Sequence, residues 1–182
     1  MKKLDVQRTR IDGLLDISLE VHGDERGWFK ESYQREKLEA LGFPRLEVVQ
    51  NNVSFNEAVG VTRGIHAEPW DKYVSPARGR MFVAIVDLRE GAGFGTVATF
   101  ELTPARGLFI PRGCGNSICT LETQTVYNYL VNAHWRPGLT YTAVNLFDET
   151  LAIEWPVPRE QMIISEKDLH NPALADVVPF RS

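Results

Sequence analysis

The sequence predicts an all-β protein, an antiparallel sandwich or barrel with a few short helices. Short apolar runs that contain β-branched and aromatic residues recur at close spacing along the 182 residues. The ten prolines and fourteen glycines lie between these runs, where they mark turns. Helical periodicity is scarce. Without a composition break or an internal repeat, we expect one domain over residues 1–182.

The strand candidates follow one another with only short interruptions. The clearest are the runs 80–88 and 125–131, in which β-branched and aromatic side chains dominate. In chain order, the predicted strands cover residues 14–21, 28–33, 48–55, 73–77, 80–88, 96–102, 108–111, 117–121, 125–131 and 141–146.

Two short helices complete the prediction. Residues 34–41 have helical character, and Gly42 provides the stop signal. A second helix opens after Ser165, whose hydroxyl is a suitable N-cap, and acidic residues follow in its first turn.

Composition excludes several classes of protein. Lys and Arg total 20 against 24 Asp and Glu, so the net charge is −4 and no basic surface for nucleic acid is expected. No apolar run approaches the roughly 18 residues of a membrane span, and no apolar segment near the N-terminus resembles a signal peptide. The two cysteines, Cys114 and Cys119, favour a reduced, cytoplasmic protein over a secreted disulfide scaffold.

A two-part spacing of glycines and polar residues resembles the signature of the cupin superfamily. Its members fold as a double-stranded β-helix, or jelly roll, and many hold a metal with three histidines and a glutamate. The matching positions here are Gly60, His66, Glu68, Lys72 and Gly79, then Gly107, Pro111, Gly113 and Asn116. Only His66 keeps the ligand that the family has at the same position, and a lysine ammonium opposes a divalent cation. We therefore expect a cupin-type fold that has no metal and needs no cofactor.

A narrower resemblance extends over nearly the whole chain. Blocks that resemble conserved segments of the dTDP-4-dehydrorhamnose 3,5-epimerases occur in order at residues 24–31, 50–54, 60–66, 87–89, 110–113, 153–156 and 165–168. The similarity is greatest to the epimerase half of epimerase–reductase fusions. It implies inversion of carbons beside the ketone of a nucleotide-linked 4-keto-6-deoxy sugar, with dTDP as the expected nucleotide.

The resemblance also implies the catalytic residues. Removal of a proton beside a ketone requires a base, a cation or donor at the enolate oxygen, and an acid on the opposite face. His66 matches the base, Asp168 the carboxylate that orients it, and Lys72 the cation. Tyr129 matches the acid, and Tyr127 lies on the same strand face as the alternative.

Binding residues follow from the same resemblance. In the family, the segment equivalent to Arg26, Phe29 and Glu31 comes from the neighbouring subunit, so the resemblance implies a homodimer with shared sites. Asn116 replaces a histidine near the keto group. His134 stands where a tyrosine usually stacks on thymine, and Trp135 is adjacent. The implied nucleotide-sugar contacts are Arg26, Phe29, Glu31, Gln50, Asn52, Arg63, Asn116, His134, Trp135 and Lys167.

Other interpretations remain at this point. The same groups suit an enzyme that inverts one carbon only, or a keto isomerase. A cupin that binds a nucleotide sugar without catalysis is a third hypothesis. Taken singly, His66 fits a buried histidine bonded to a carbonyl, and Tyr129 fits a core aromatic residue. Their occurrence together with Lys72 and Asp168 favours an enzyme, because binding alone needs no base.

Overall fold

The computed structural model describes residues 3–181, and strands dominate this part of the chain. In chain order the strands are β1 Asp5–Arg8, β2 Leu15–Ser18, β3 His22–Asp24, β4 Gly27–Phe29, β5 Gln50–Asn56, β6 Val61–Ala67, β7 Lys72–Arg78, β8 Met81–Asp87, β9 Val97–Leu102, β10 Arg106–Ile110, β11 Cys114–Thr120, β12 Thr125–Val131, β13 Thr142–Ala143 and β14 Ile163–Ile164. The helices are α1 Arg35–Ala40, α2 Glu166–Leu169 and single 3₁₀ turns at Glu149–Leu151, Arg159–Gln161 and Leu174–Asp176.

Two sheets form the body of the molecule. The first has the order β1-β2-β10-β7-β12-β5, and the second has the order β13-β6-β11-β8-β9 with β14 beside β6. Pairing is antiparallel except between β14 and β6. Many neighbours within a sheet are distant along the chain, as in a jelly roll. The predicted all-β, cupin-type fold is confirmed.

The core fills the space between the two sheets. Val74 and Tyr127 from the first sheet pack in one cluster with Ile85 and Ile118 from the second. The outer face of the first sheet is also covered, because Leu38 of α1 packs on its apolar side chains. A further cluster covers the second sheet with residues from the C-terminal segment. Burial on both faces explains the continuous apolar run that predicted β8.

The predicted helices are confirmed with their caps. The Gln34 side chain accepts a hydrogen bond of 2.7 Å from the backbone N–H of Lys37 at the start of α1. Gly42 follows that helix with φ +93°, a conformation that glycine adopts without strain. Ser165 caps α2 by accepting from the backbone N–H of Asp168. No helix within residues 3–181 is long and apolar enough to cross a membrane.

Sequence reasoning missed one central strand, β6. Gly64 interrupts its pattern and has φ +126°. A Cβ at Gly64 would lie 2.5 Å from the Cβ of Ser117, so only glycine allows this close approach of β6 to β11. The short strands β1, β3 and β14 were also unpredicted, and the predicted strand at 141–146 is reduced to Thr142–Ala143.

Candidate active site

Residues from both sheets line a cavity of about 680 Å³. Strands β5, β6 and β12, the loop before β7, and the segment from β14 to α2 form its walls. Of the residues predicted from the sequence, those that line it are Gln50, Asn52, Arg63, His66, Tyr129, Trp135, Lys167 and Asp168.

His66 and Asp168 form a hydrogen-bonded pair at the wall of this cavity. The Nε2 atom of His66 lies 2.6 Å from Oδ1 of Asp168. The two residues are 102 positions apart, and they meet because α2 lies against β6. The His66 side chain is 20% exposed and the Asp168 side chain 6%, so the imidazole faces the cavity and the carboxylate lies behind it.

Asp168 is held as a carboxylate by its surroundings. Burial opposes its ionisation, but hydrogen bonds from His66, the Gly64 backbone N–H and Ser165 outweigh that effect and lower its pKa. The Gly64 N–H donates to Oδ2 over 3.2 Å, so both carboxylate oxygens are engaged. An ionised Asp168 requires the hydrogen of the His66 ring to lie on Nε2, which leaves Nδ1 free to accept a proton.

Lys72 is buried at the first position of β7. Its ammonium donates to the Glu68 carboxylate and, over 2.5 Å, to Oδ1 of Asn116. The ammonium also lies 5.9 Å from the centre of the Tyr129 ring. A buried cation is therefore present beside two groups that line the cavity, Glu68 and Tyr129.

The two tyrosines of β12 occupy different environments. Tyr129 is partly exposed and lines the cavity. Tyr127 is buried, and its hydroxyl lies 3.4 Å from Nδ2 of Asn116. Burial raises the pKa of Tyr129, and the nearby Glu68 carboxylate raises it further. Tyr129 is thus a neutral phenol at pH 7, able to donate a proton.

Polar side chains surround the mouth of the cavity. Gln50 donates to Asn52 over 2.7 Å and accepts from the Trp135 backbone N–H over 3.0 Å, so β5 holds the loop that follows β12. Trp135 lines the cavity, whereas His134 is exposed on the same loop and does not. The ammonium of Lys167 lies 5.0 Å from the centre of the Tyr141 ring.

The remaining predicted residues lie away from the cavity within one chain. Arg26 pairs with Asp24 in the turn of the β3–β4 hairpin. Phe29 is 65% exposed. Glu31 accepts from the Lys37 ammonium over 2.5 Å. The structure does not bring these three to His66.

Several lining residues were not predicted as site residues, among them Glu68, Trp70 and Tyr141. Glu68 had a signal, since it occupies a ligand position of the cupin spacing, but its contact with Lys72 was not foreseen. Trp70 lines the cavity, and among residues 3–181 its Nε1 is the buried side-chain polar atom without a hydrogen-bond partner. The Tyr141 ring lies 5.4 Å from that of His66 at an edge-on angle.

Within residues 3–181, no group of three or more His, Cys, Asp or Glu side chains could hold a metal ion.

Comparisons with known proteins identify the family of this chain. The family model described as dTDP-4-dehydrorhamnose 3,5-epimerase matches residues 8–176. A protein RmlC homolog of Streptococcus pyogenes serotype M6 is 44% identical, with 94% of this chain and 89% of the relative covered. The solved structure of RmlC from Streptococcus suis in complex with dTDP-D-xylose matches with a TM-score of 0.93 and 42% identity, covering 99% and 96% of the two chains. RmlC from Legionella pneumophila in complex with dTDP-4-keto-L-rhamnose matches with a TM-score of 0.87 and 29% identity, covering 99% and 100%. This chain therefore belongs to the dTDP-4-dehydrorhamnose 3,5-epimerase family.

Proposed function

We propose that this protein is an epimerase of a dTDP-linked 4-keto-6-deoxy sugar. It inverts one or both of the carbons beside the ketone through an enolate. The observation that carries the proposal is the convergence of a base, a cation and an acid: His66 and Tyr129 line one cavity, and the Lys72 ammonium is buried beside it. The family match and the dTDP-sugar complexes of related structures support the substrate class.

His66 begins the reaction as the general base. Its Nδ1 takes the proton from the carbon beside the ketone, and the electron pair of that C–H bond moves to the keto oxygen. The resulting imidazolium is stabilised by the Asp168 carboxylate, which lies 2.6 Å from Nε2. This pairing holds the ring in position, and a positioned base contributes about 10²–10⁴-fold in rate.

Lys72 and Tyr129 complete the inversion. The Lys72 ammonium stabilises the negative charge on the enolate oxygen, in a buried site where such an interaction is strong. The Tyr129 hydroxyl then donates a proton to the opposite face of the carbon while the carbonyl re-forms. Exchange with solvent returns the proton to Tyr129 and removes the one on His66. The redox state of the sugar does not change, so the reaction needs no redox cofactor.

The nucleotide part of the substrate is held near the cavity mouth. Arg63 and Lys167 supply positive charge for the diphosphate. Gln50 and Asn52 supply neutral hydrogen bonds, and Trp135 offers the aromatic surface for the base in place of His134. Asn116 lies beside Lys72 at the keto end.

A second copy of the chain supplies Arg26, Phe29 and Glu31. These residues lie on or next to the β3–β4 hairpin, apart from the cavity of their own chain, which supports a homodimer with shared sites. The exposed aromatic surface of Trp28 and Phe29 on that hairpin supports the same proposal, because large exposed apolar groups commonly mark an interface.

The cellular compartment is a proposal as well. Cys114 and Cys119 are both free and buried. Two unpaired thiols in a β-sandwich suit a reducing compartment, so we propose that the protein acts in the cytoplasm.

Deuterium wash-in tests the proposed reaction. The protein is incubated in deuterated water with dTDP-linked and other nucleotide-linked 4-keto-6-deoxy sugars, and NMR counts the carbons that exchange. We expect exchange beside the ketone of the dTDP sugar. Two exchanged carbons indicate a 3,5-epimerase and one indicates a single-carbon epimerase. Binding without any exchange would favour the non-catalytic cupin instead.

A further inference from the structure

We propose that Glu68 is a positioning residue that fixes the Lys72 ammonium for the enolate oxygen. The inference rests on the proposed function and extends it to a residue outside the catalytic set. Glu68 lies in the loop between β6 and β7, four positions before Lys72. The Lys72 side chain is 5% exposed and that of Glu68 is 14% exposed, so their ion pair is buried at the cavity.

The buried Lys72 ammonium needs a counter-charge. Removing an ammonium from water is costly unless a counter-charge and hydrogen bonds replace the lost hydration. Glu68 supplies the carboxylate in contact with Lys72, and the other contacting group, Asn116, is a neutral amide. The Glu68 carboxylate also acts on Tyr127 and Tyr129 of β12, whose pKa it raises. Glu68 is therefore the group that supplies the negative charge next to the Lys72 ammonium.

The two acceptors also fix the directions of the Lys72 N–H bonds. An ammonium has three N–H donors at tetrahedral angles. Two of them are directed to Glu68 and to Oδ1 of Asn116. With two directions fixed, the third is determined. The pair of acceptors thus orients one remaining donor for an oxygen of a bound substrate.

Asn116 can accept a hydrogen bond from Lys72 in only one orientation of its amide group. Its Oδ1 accepts from Lys72, while Nδ2 lies 3.4 Å from the Tyr127 hydroxyl. A rotated amide would place an NH₂ group against the ammonium, donor against donor. Burial raises the pKa of Tyr127 well above its usual value, so its hydroxyl is a neutral partner for Nδ2. Glu68 and Asn116 therefore hold Lys72 from two sides.

A double-mutant cycle tests whether Glu68 acts through Lys72. Deuterium exchange beside the ketone is measured for the wild type, Glu68→Ala, Glu68→Gln, Lys72→Ala and the Glu68→Ala/Lys72→Ala double variant. Exchange is the suitable readout because it needs the base and the cation but not the acid Tyr129. Glu122→Ala is the matched control, since this exposed glutamate pairs with Arg80 and does not line the cavity.

We expect Glu68→Ala to lower exchange about 10- to 100-fold, since a displaced catalytic group costs that much. Glu68→Gln should lose less because its amide oxygen remains an acceptor. The dissociation constant for dTDP should change less than about twofold, because Glu68 acts at the keto end. In the Lys72→Ala background, Glu68→Ala should have no further effect. The proposal would be overturned if Glu68→Ala lowered the exchange rate by the same factor with and without Lys72→Ala. Exchange at the wild-type rate in Glu68→Ala would overturn it as well.

A second measurement does not depend on turnover. In ¹⁵N-labelled protein, a fixed and hydrogen-bonded Lys72 ammonium should give a side-chain signal that is absent in Lys72→Ala. We expect this signal to disappear or broaden in Glu68→Ala and to persist in Glu122→Ala. An unchanged signal in Glu68→Ala would contradict the positioning role even if the wild type showed no exchange. Absence of exchange in the wild type would count against the proposed function alone.

Discussion

At the scale of single residues, the proposed chemistry depends on a few buried polar contacts. The resemblance to the family predicted His66, Asp168, Lys72 and Tyr129, and their side chains have the acid, base and charge properties that the reaction needs. The contact between Lys72 and Asn116 joins residues 44 positions apart, so no local sequence pattern could predict it. Long-range hydrogen bonds follow from strand pairing, which requires the fold.

The two tyrosines of β12 should give different kinetic signatures. Tyr129→Phe removes the hydroxyl at the cavity but keeps the ring. The enolate still forms and is reprotonated by His66 on its original face, so exchange should persist while net inversion falls. Tyr127→Phe removes the partner of Asn116 and should lower exchange and inversion together. NMR of the sugar in deuterated water measures both rates. Normal inversion by Tyr129→Phe with loss of inversion by Tyr127→Phe would assign the acid to Tyr127.

Activity should be independent of a metal ion. The basis is chemical: Lys72 and Asn116 occupy two positions that carry metal ligands in the cupin spacing, and the Lys72 ammonium is the proposed cation for the enolate. Prolonged treatment with a strong chelator, followed by the exchange assay, should leave the rate unchanged. Loss of exchange that zinc, iron or manganese restores would disprove the prediction.

At the scale of secondary-structure elements, the β3–β4 hairpin is tied to the sandwich by one lysine. Lys30 follows the hairpin, and its ammonium donates to Ser75 Oγ over 2.6 Å, to Pro76 O over 2.8 Å and to Pro104 O over 3.0 Å. None of these acceptors is charged, and burial lowers the pKa of Lys30 to about 8. The sequence predicted a strand at 28–33, but it contained no sign that Lys30 anchors the hairpin to the sandwich.

The anchor predicts a pH dependence of stability. Lys30 has a lower pKa in the folded chain, about 8, than the usual 10.5, so the unfolded chain binds more protons between these values. The contribution of Lys30 to the free energy of unfolding should therefore rise with pH from about 8 to about 10. Denaturation at pH 7.5 and about pH 9.5 gives the free energy of unfolding of the wild type and of Lys30→Met. The difference between the two proteins isolates the contribution of Lys30, because all other groups titrate in both. A difference that stays constant or falls would show that the amine is not desolvated.

The elements also show why prediction from sequence was incomplete. Strand β8 was predicted almost to the residue, because burial on both faces makes it continuously apolar. Strand β6, which carries Arg63 and His66, was missed because close packing on β11 requires Gly64 in its middle. The constraint is tertiary, so the site motif on β6 was more visible in the sequence than the strand itself.

At the scale of the whole molecule, the proposed site is incomplete in one chain. The cavity contains the catalytic candidates, while Arg26, Phe29 and Glu31 lie elsewhere. The all-β class could be predicted from strand spacing and turn residues. The meeting of β6, β12 and α2 at one cavity could not, because these elements are joined by long connections across two sheets.

Shared sites predict complementation between two inactive variants. His66→Ala lacks the base, and Arg26→Ala lacks the residue proposed to act in the partner's site. After the two variants are mixed and their subunits redistribute, about half of the dimers are heterodimers, and one of the two sites in each heterodimer is intact. About a quarter of the wild-type rate of deuterium exchange should therefore return. Sedimentation should show about twice the mass of one chain. A fully active monomer, or a mixture no more active than its components, would rule out shared sites.

The central claim is that His66 removes the proton beside the ketone, and its most direct test is the rate of deuterium exchange in His66→Ala. The wild type should exchange at one or both carbons beside the ketone of the dTDP-linked sugar. His66→Ala should lose at least about 10²–10⁴-fold of that rate. The variant should still bind dTDP as the wild type does, which shows that the site remains folded. Exchange by His66→Ala at the wild-type rate would contradict the account.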